Sequence, residues 1–437
     1  MHIFLHYGLS VYDYPEVLSR APPDDSTMTD IRTFTEEFLR FDTTGGAEAD
    51  AQAWVRDRLD ELGFETYEWT ADAGRLAEHP SFPDDPSDID VADRPSVAGV
   101  LEFGDTGAGK TLVLNGHADV VPVERDLWSS DPFEPTWVGD DDLRARGAAD
   151  MKSGLAACVF AALALREEAP DLDGRVVVES VVGEEEGGIG AAAAALDNPY
   201  PFERDAAIVA EPTELQVVTA TEGCLMKRLT LTGRSAHAAT RWVGESVLPH
   251  FETVRRAFEA LESERTETVT HPLYDDFPIP WPVVVGTVEA GSWASTVPAE
   301  LTAEMRIGVA PGETVDDVET QFEARLDEIV ADSEWLSAHP PTFERFSIQF
   351  EPAETDPDEP VVGALQAAME ATGLDDTEPR GATYGADSRH YVAAGIPTVV
   401  FGPGSIEQAH YPDETVHWPE VEQARETITE TARRFLG

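Results

Sequence analysis

Apolar strand-like segments alternate with amphipathic helices along this chain, and one contiguous stretch breaks the alternation. The apolar runs lie at 96–103, 111–116, 176–182 and 205–210, with helical patterns after the second and third of them. Such alternation is typical of a largely parallel sheet that is buried between layers of helices. Residues 222–351 instead follow a β-α-β-β-α-β pattern, which is typical of a ferredoxin-like unit. The sequence therefore predicts an α/β domain whose chain is interrupted by an inserted α+β domain.

The predicted domain boundaries follow from where each pattern begins and ends. Residues 28–221 and 352–437 carry the α/β pattern, and we assign both segments to one catalytic domain. Residues 222–351 form the inserted domain. Residues 1–27 precede the first helical pattern and contain several prolines, so we expect an N-terminal extension outside the core. This segment lacks a basic start and a long apolar run, and it resembles neither a signal peptide nor a membrane span.

Acidic residues dominate the composition, with 85 Asp and Glu against 30 Lys and Arg and a formal net charge of −55. Such a negative field repels phosphate backbones and anionic membrane surfaces, which excludes nucleic-acid and membrane partners. A hydrophobic fraction of 42% predicts folded cores, so the acidic residues are expected on a folded surface. The chain has three lysines, Lys110, Lys152 and Lys227. This composition indicates adaptation to concentrated salt, and an ordinary acidic enzyme is the alternative.

The two cysteines, Cys158 and Cys224, each lie in an apolar segment. Two cysteines cannot make a disulfide framework, and the apolar surroundings predict buried, reduced thiols. We therefore expect a cytoplasmic protein.

Five polar motifs lie at the ends of predicted strands or at the start of predicted helices. They are 115–122 (NGHADVVP), 146–154 (RGAADMKSG), 183–188 (GEEEGG), 210–213 (AEPT) and 409–414 (AHYPDE). In open α/β sheets, ligands bind at the carboxyl ends of the strands. Each motif alone also has a plain structural explanation, such as a helix N-cap or a solvated acidic turn. Their common position at strand ends favours a shared site.

The five motifs together supply nitrogen and oxygen donors that suit divalent cations. His117 can bind a metal through one ring nitrogen while Asp119, two residues later, accepts the other N–H. The three carboxylates of the third motif would repel one another without nearby cations. The charge of two divalent cations is balanced by one hydroxide and by three carboxylates, those of Asp150, Glu186 and Glu211. The sequence therefore predicts a dinuclear site with metals about 3.5–4 Å apart.

These motifs, in this order and around an inserted ferredoxin-like unit, resemble those of the M20 metallopeptidase family. The resemblance covers about residues 29–437, and it is strong for the branch of acetylornithine deacetylases, succinyl-diaminopimelate desuccinylases and related carboxypeptidases. It implies a zinc-peptidase-like catalytic domain with a mostly parallel sheet, and a ferredoxin-like lid and dimerisation domain. It also implies a homodimer with two divalent metal ions per chain. Zinc is the expected metal, with cobalt and manganese as alternatives, because carboxylate-rich sites accept all three.

The resemblance also implies roles for individual residues. It makes Glu185 the general base and Asp119 the partner of His117, with Asp150 bridging the two metals. The implied metal ligands are His117, Asp150, Glu186, Glu211 and His410. Because Glu184, Glu185 and Glu186 are adjacent, a shift by one residue would move both the base and the ligand.

The inserted domain carries a second set of candidate residues. Residues 233–239 (GRSAHAA) resemble a lid motif whose histidine, here His237, reaches the active site of the partner subunit and steadies the oxyanion. Arg306 resembles the lid arginine that holds a substrate carboxylate, and Arg389 of the GADSR segment matches a second anion binder. A guanidinium fork suits a carboxylate, although local ion pairs are the alternative. Ser295 stands where many members carry Asn, which leaves substrate specificity open.

The resemblance implies a metal-dependent amidohydrolase that cleaves an N-acyl amino acid or a short peptide with a free carboxylate. Deacetylase, desuccinylase, aminoacylase, dipeptidase and carboxypeptidase are the alternatives within the family. A family member that has lost catalysis and serves as a binding protein is the alternative of another class. Loss of a metal ligand would mark such a protein, and the sequence carries every expected ligand.

Overall fold

The computed structural model describes residues 30–437, and the predicted N-terminal extension, residues 1–27, lies outside the described residues. The strands, numbered β1 to β16 in chain order, are Glu65–Thr70, Pro95–Phe103, Lys110–His117, Thr136–Val138, Asp142–Arg144, Gly174–Val181, Ala206–Val209, Val218–Thr221, Gly223–Thr232, Val283–Ala290, Glu300–Val309, Thr342–Arg345, Ala353–Glu354, Arg380–Ala382, Thr398–Val400 and Thr415–His417. The α-helices, numbered α1 to α11, are Ile31–Phe38, Ala49–Glu61, Ala73–Leu76, Lys152–Glu168, Ile189–Leu196, Leu248–Thr268, Val315–Asp332, Glu334–Ala338, Pro360–Ala371, Ser388–Ala393 and Trp418–Leu436. None of these helices combines the length and the apolar character needed to cross a membrane.

A large mixed sheet forms the centre of the molecule. Its strand order is β1-β2-β6-β3-β7-β15-β8-β13, and β14 pairs with β8. The central strands β6, β3, β7 and β15 run parallel. On one side β2 pairs antiparallel with β6 and β1 with β2, and on the other side β8 pairs antiparallel with β15 and β13 with β8. The predicted α/β class with a mostly parallel central sheet is therefore confirmed, and the antiparallel strands lie at its flanks.

Strand β3 shows why the middle of a central strand is apolar. Successive side chains of a strand point to opposite faces of the sheet. Leu112 and Leu114 pack into the core that contains Leu155 of α4 and Phe435 of α11. Val113, between them, packs into a second core on the other side of the sheet. Because both faces are covered, residues 112–114 of β3 are apolar and buried on both sides of the sheet.

A second sheet follows where the chain leaves the first. The chain leaves the large sheet after Thr221 and returns to it at Ala353. Between these points, four antiparallel strands lie in the order β10-β11-β9-β12, which is the ferredoxin-like order. Helices α6 and α7 cover one face, and Phe258 and Phe322 meet edge to face with ring centroids 5.2 Å apart. This sheet therefore has a hydrophobic core of its own.

A small third sheet was not predicted from the sequence. It consists of β16, β5 and β4, each three residues long. Strands this short contain too few residues for a period of two to be recognised. Thr415 pairs with Arg144 in this sheet, which holds the fifth motif beside the second.

Candidate metal centre and active site

The five motifs meet at one edge of the large sheet. Strand β3 ends at His117, β6 ends shortly before residues 184–186, and β7 ends shortly before Glu211. These strands run parallel, so their carboxyl ends lie at the same edge. Asp150 lies two residues before α4 begins, and the third sheet brings the 409–414 segment to it.

A first group of donors is formed by His117, Asp150 and Glu211, and all three are buried. The Nε2 atom of His117 lies 3.0 Å from Asp150 Oδ1 and 3.6 Å from Glu211 Oε1. The Nδ1 atom lies 3.0 Å from the backbone oxygen of Asp119, so Nδ1 carries the proton and Nε2 is available to a metal. Burial alone lowers the pKa of His117, but the carboxylates of Glu211 and Asp150 raise it well above its ordinary value. The group therefore attracts positive charge.

A second group is formed by Asp150, Glu185 and His410. His410 Nε2 lies 3.0 Å from Glu185 Oε2 and 3.7 Å from Asp150 Oδ2. Asp150 thus faces the first group with Oδ1 and the second group with Oδ2. One carboxylate shared between two donor groups is the arrangement that a dinuclear centre requires. The residues present therefore fit two divalent cations.

Glu186 belongs to neither group. Its carboxylate pairs with Arg94, and its side chain is 44% exposed. Arg94 is buried and also holds the buried carboxylate of Glu48, with Nε donating to Oε2 at 3.1 Å. The turn after β6 therefore points Glu186 towards Arg94 and Glu185 towards His410. The structure therefore places Glu185, and not the predicted ligand Glu186, among the donors, one residue earlier in the chain.

Glu184 lies next to the two donor groups but belongs to neither of them. It is buried, and its backbone N–H donates to Asp119 Oδ1 at 3.2 Å. Burial raises the pKa of Glu184 well above its ordinary value, and the charges of Asp387 and Glu211 raise it further. A carboxyl group with a raised pKa at the edge of a metal site is suited to general acid and base chemistry.

Asp119 connects the first motif to the glutamate turn. Its Oδ1 and Oδ2 accept the backbone N–H groups of Glu184 and Glu185 at 3.2 and 3.1 Å. Its carboxylate also lies 3.7 Å from Nδ1 of His117. Asp119 therefore fixes the backbone of Glu184 and Glu185 and also lies beside His117, its predicted partner.

Glu414 is a structural residue that the sequence analysis did not single out. It is buried, and burial raises its pKa to about 6. Its carboxylate accepts the backbone N–H groups of Gly147, Ala149 and Asp150 at 3.1, 2.7 and 3.1 Å, and Arg146 Nη1 at 2.6 Å. Glu414 thus holds the loop that presents the shared carboxylate. The sequence shows Glu414 in the fifth motif, but it does not show the contacts of Glu414 with the second motif.

Arg389 supports the turn that carries Glu184, Glu185 and Glu186 through a contact with Gly187. Its side chain is buried, with Nη2 donating to Gly187 O at 2.7 Å and Nη1 to Ala386 O at 3.1 Å. The guanidinium lies 3.9 Å from the ring centroid of Phe350. Both terminal nitrogens thus donate to backbone carbonyls, whereas the sequence predicted that Arg389 binds an anion near the site.

The two lid candidates lie outside both donor groups. Arg306 on β11 donates from Nη1 to Glu222 Oε1 at 3.2 Å, which is the local ion pair that the sequence left as an alternative. His237 is exposed, and its Nδ1 accepts the backbone N–H of Ala239 at 3.1 Å. Its Nε2 therefore remains available to an incoming group.

Comparison with known proteins supports the resemblance. The model of peptidase family M20/M25/M40 matches residues 113–434. An N-formyl-4-amino-5-aminomethyl-2-methylpyrimidine deformylase of Halalkalibacterium halodurans is 27% identical over 400 residues, which cover 87% of each chain. An acetylornithine deacetylase of Yersinia pestis is 29% identical over 376 residues, which cover 84% of this chain and 88% of that one.

Solved structures with the same fold include an M20 family metallo-carboxypeptidase from Sulfolobus solfataricus, with a TM-score of 0.70 and 17% identity over 93% of this chain and 99% of that one. A dinuclear metal binding peptidase of the M20 family from Bacillus subtilis gives a TM-score of 0.61 with 14% identity, over 92% and 96% of the two chains. The family match spans the chain from β3 to α11. The chain therefore belongs to peptidase family M20/M25/M40, and it is an enzyme of the class that cleaves amide or peptide bonds.

Proposed function

We propose that this chain is a dinuclear metal-dependent amidohydrolase that removes the acyl group from a small N-acyl amino acid, of the acetylornithine or succinyl-diaminopimelate type. The observation that carries the proposal is the pair of donor groups sharing Asp150. The acetylornithine deacetylase relatives support a deacylase over a peptidase. Cleavage of a short peptide, as by a dipeptidase or carboxypeptidase, is the alternative within the family.

A second candidate substrate is an acylated amine without a carboxylate. The deformylase relatives are named for a formylated aminomethylpyrimidine, a compound that has none. The contacts of the two candidate anion binders favour such a substrate, because Arg306 is paired with Glu222 and Arg389 is buried against backbone carbonyls.

We assign one metal to His117, Asp150 and Glu211, and the other to Asp150, Glu185 and His410. Zinc suits these nitrogen and oxygen donors, and cobalt and manganese remain alternatives. When bound, the two cations would polarise the amide carbonyl and lower the pKa of a coordinated water.

Glu184 is assigned as the general base. Its carboxylate would accept a proton from the attacking water and then donate it to the leaving nitrogen. The raised pKa of Glu184, caused first by burial, suits a group that must both accept and release a proton. Asp119 and Arg389 act as positioning residues, because they hold the turn that carries Glu184 and Glu185.

We further propose that residues 222–351 form a lid and dimerisation domain on a catalytic domain of residues 28–221 and 352–437. Strand β10 lies at the edge of the small sheet, and Val284 and Val288 on it are about half exposed. An open edge strand with exposed apolar side chains is typical of a surface that a second copy covers. In such a homodimer, His237 would reach the partner's active site and donate to the developing oxyanion.

Subunit mixing tests this arrangement. Glu184→Gln chains and His237→Ala chains are each expected to be nearly inactive, and their equal mixture is expected to regain about a quarter of wild-type activity. Half of the dimers are then mixed, and one of their two sites carries neither defect. Activity is measured after subunit exchange has been verified with differently tagged chains. An inactive mixture of exchanged subunits would show that His237 does not act across the dimer.

We also propose a cytoplasmic protein adapted to concentrated salt, supported by two buried free cysteines and a net charge of −55. Surface repulsion is screened over about 3 Å at 1 M salt but over about 10 Å at 0.1 M. The melting temperature is therefore expected to fall when salt is lowered below about 0.5–1 M. Thermal unfolding in a salt series measures this, and an unchanged melting temperature in dilute buffer contradicts it.

A substrate screen tests the proposed function directly. The metal-loaded protein is assayed in high salt with acetyl-ornithine, succinyl-diaminopimelate, other acyl amino acids, a formylated aminomethylpyrimidine and dipeptides. Release of the free amine from one of the acyl compounds supports the proposal, whereas preferential cleavage of dipeptides favours the peptidase alternative. Tight binding without turnover of any of these compounds would contradict the proposed substrate class.

A further inference from the structure

A buried carboxylate lies where the chain passes from the large sheet to the small one. Glu222 is the single residue between β8, which ends at Thr221, and β9, which begins at Gly223. Its side chain is fully buried, and its backbone N–H donates to Ala382 O at 2.9 Å. Gly308 on β11 leaves room for it, because a Cβ at that position would lie 2.1 Å from Glu222 Oε1. The neighbouring strand is therefore shaped around this carboxylate.

The carboxylate contacts the arginine that the sequence predicted to hold a substrate. Arg306 donates from Nη1 to Glu222 Oε1 and from Nη2 to Thr383 O, each at 3.2 Å. The arginine side chain is 28% exposed. The other oxygen of Glu222, Oε2, is buried and has no hydrogen-bond partner among residues 30–437. Arg306 therefore links the two sheets while its charge is balanced from within the protein.

A short series of contacts joins the Glu222–Arg306 pair to the two donor groups. Thr383, which accepts the second bond of the arginine, is followed by Tyr384. The Tyr384 hydroxyl donates to Pro212 O at 3.2 Å, and Pro212 follows the donor residue Glu211. Burial raises the pKa of Tyr384, and the charges of Glu211 and Asp150 raise it further. The ion pair thus lies at the border of the active site.

We propose that charged Glu222 is an internal competitor for Arg306, so that the enzyme gains no recognition from a substrate carboxylate at this position while Glu222 is ionised. This inference rests on the proposed amidohydrolase function and extends its substrate class to acylated amines that lack the carboxylate of an N-acyl amino acid. A substrate carboxylate would meet a guanidinium whose charge is already balanced and whose terminal nitrogens each already have one N–H engaged. Separating the pair would leave Glu222 buried and uncompensated, which is unfavourable in the protein interior. An uncharged substrate group avoids both effects.

The protonation of Glu222 decides when the competition operates. Burial raises the pKa of Glu222 to about 8. The titratable and charged groups that face Glu222 are Arg306, Arg265, Tyr274 and Cys224. Of these, Arg265 already forms an ion pair with Glu313 at 2.7 Å. Above pH 8 the charged carboxylate competes for Arg306, and well below pH 8 the protonated group does not.

The test uses two compounds that differ only in the carboxylate, N-acetyl-L-ornithine and its α-carboxamide. We measure kcat/KM for both at pH 9 with wild type, Glu222→Gln, Arg306→Met and the double variant, all loaded with metal. Wild type is expected to treat the two compounds alike. Glu222→Gln is expected to favour the acid by about tenfold, mainly through KM, because one charge-assisted hydrogen bond becomes available. Arg306→Met and the double variant should show no such preference.

The pH dependence gives a second readout within wild type. At pH 6.5 the acid-to-amide ratio of wild type is expected to approach that of Glu222→Gln, whereas the ratio of Glu222→Gln itself stays constant. A structural role of Glu222 alone would not produce this convergence. If Glu222→Gln fails to fold, as judged by thermal unfolding, the comparison of wild type at the two pH values decides the question.

Two results would overturn the inference. One is a tenfold preference of wild type for the acid at pH 9 that Arg306→Met abolishes. The other is a ratio that neither Glu222→Gln nor pH changes. Equilibrium binding of the two compounds to the Glu184→Gln form of each chain gives the same ratio without turnover. Absence of hydrolysis by wild type would thus contradict the proposed function, while the binding ratio would still decide the role of Glu222.

Discussion

Glu184→Gln is expected to keep two metal ions per chain while losing activity by a factor of about 10²–10⁴, the usual contribution of a general base. The amide cannot accept the proton from the attacking water, but it has nearly the size of the carboxyl group that it replaces. Glu184 lies outside both donor groups, so metal content should not change. Metal analysis of the purified variant, together with kcat, measures both parts of this expectation.

The adjacent glutamates provide matched controls for this experiment. Glu185→Gln is expected to lower the metal content, because Glu185 belongs to the second donor group with Asp150 and His410. Glu186→Gln is expected to keep both metal ions and most of the activity, because Glu186 lies outside both donor groups and the Gln amide oxygen can still accept a hydrogen bond from Arg94. Loss of metal in Glu186→Gln with full metal content in Glu185→Gln would restore the register predicted from the sequence.

Removal of metal is expected to abolish hydrolysis and to lower stability. The shared Asp150 and the carboxylates of Glu185 and Glu211 face two histidines with no other cation in either group. A ligand that binds only the folded state stabilises it by about 4 kcal/mol when its free concentration is 1,000 times its Kd. Activity and thermal unfolding are measured after chelation and again after addition of zinc or cobalt. Full activity in protein shown by metal analysis to be metal-free would contradict the proposed function.

The loss of stability without metal should depend on pH. Burial raises the pKa of Glu211 and of Glu184 in the folded metal-free protein, so the folded state binds more protons than the unfolded chain. The free energy of unfolding therefore falls as pH rises above the ordinary Glu value of about 4.3. Bound cations favour the charged carboxylates and oppose this fall. The difference in melting temperature between metal-loaded and metal-free protein is thus expected to be larger at pH 8 than at pH 5.

The fold class and most of the site could be predicted because their signals are local in sequence. Central strands such as β3 are apolar on both faces, and the polar motifs begin where these strands end. Parallel strands place such ends at one edge, so four predicted ligands, His117, Asp150, Glu211 and His410, lie in the two donor groups. The order of elements within 222–351 similarly predicted the ferredoxin-like sheet.

Only the tertiary structure decided which of the three adjacent glutamates faces the donor groups. Glu184, Glu185 and Glu186 have the same chemistry, and their directions depend on a turn that is held by Arg94 and by Arg389. These arginines lie about 90 residues before and 200 residues after the turn, and no local pattern connects them to it.

The same reason applies to the charged residues that the sequence interpreted as substrate contacts. A guanidinium fork binds an internal carboxylate or carbonyl as well as a substrate, and the sequence does not show which partner is near. The structure pairs Arg306 with Glu222, 84 residues earlier, and directs Arg389 to Gly187. The sequence therefore determined which candidate ligands stand at the strand ends, whereas long-range packing decided which partners the buried charged residues have.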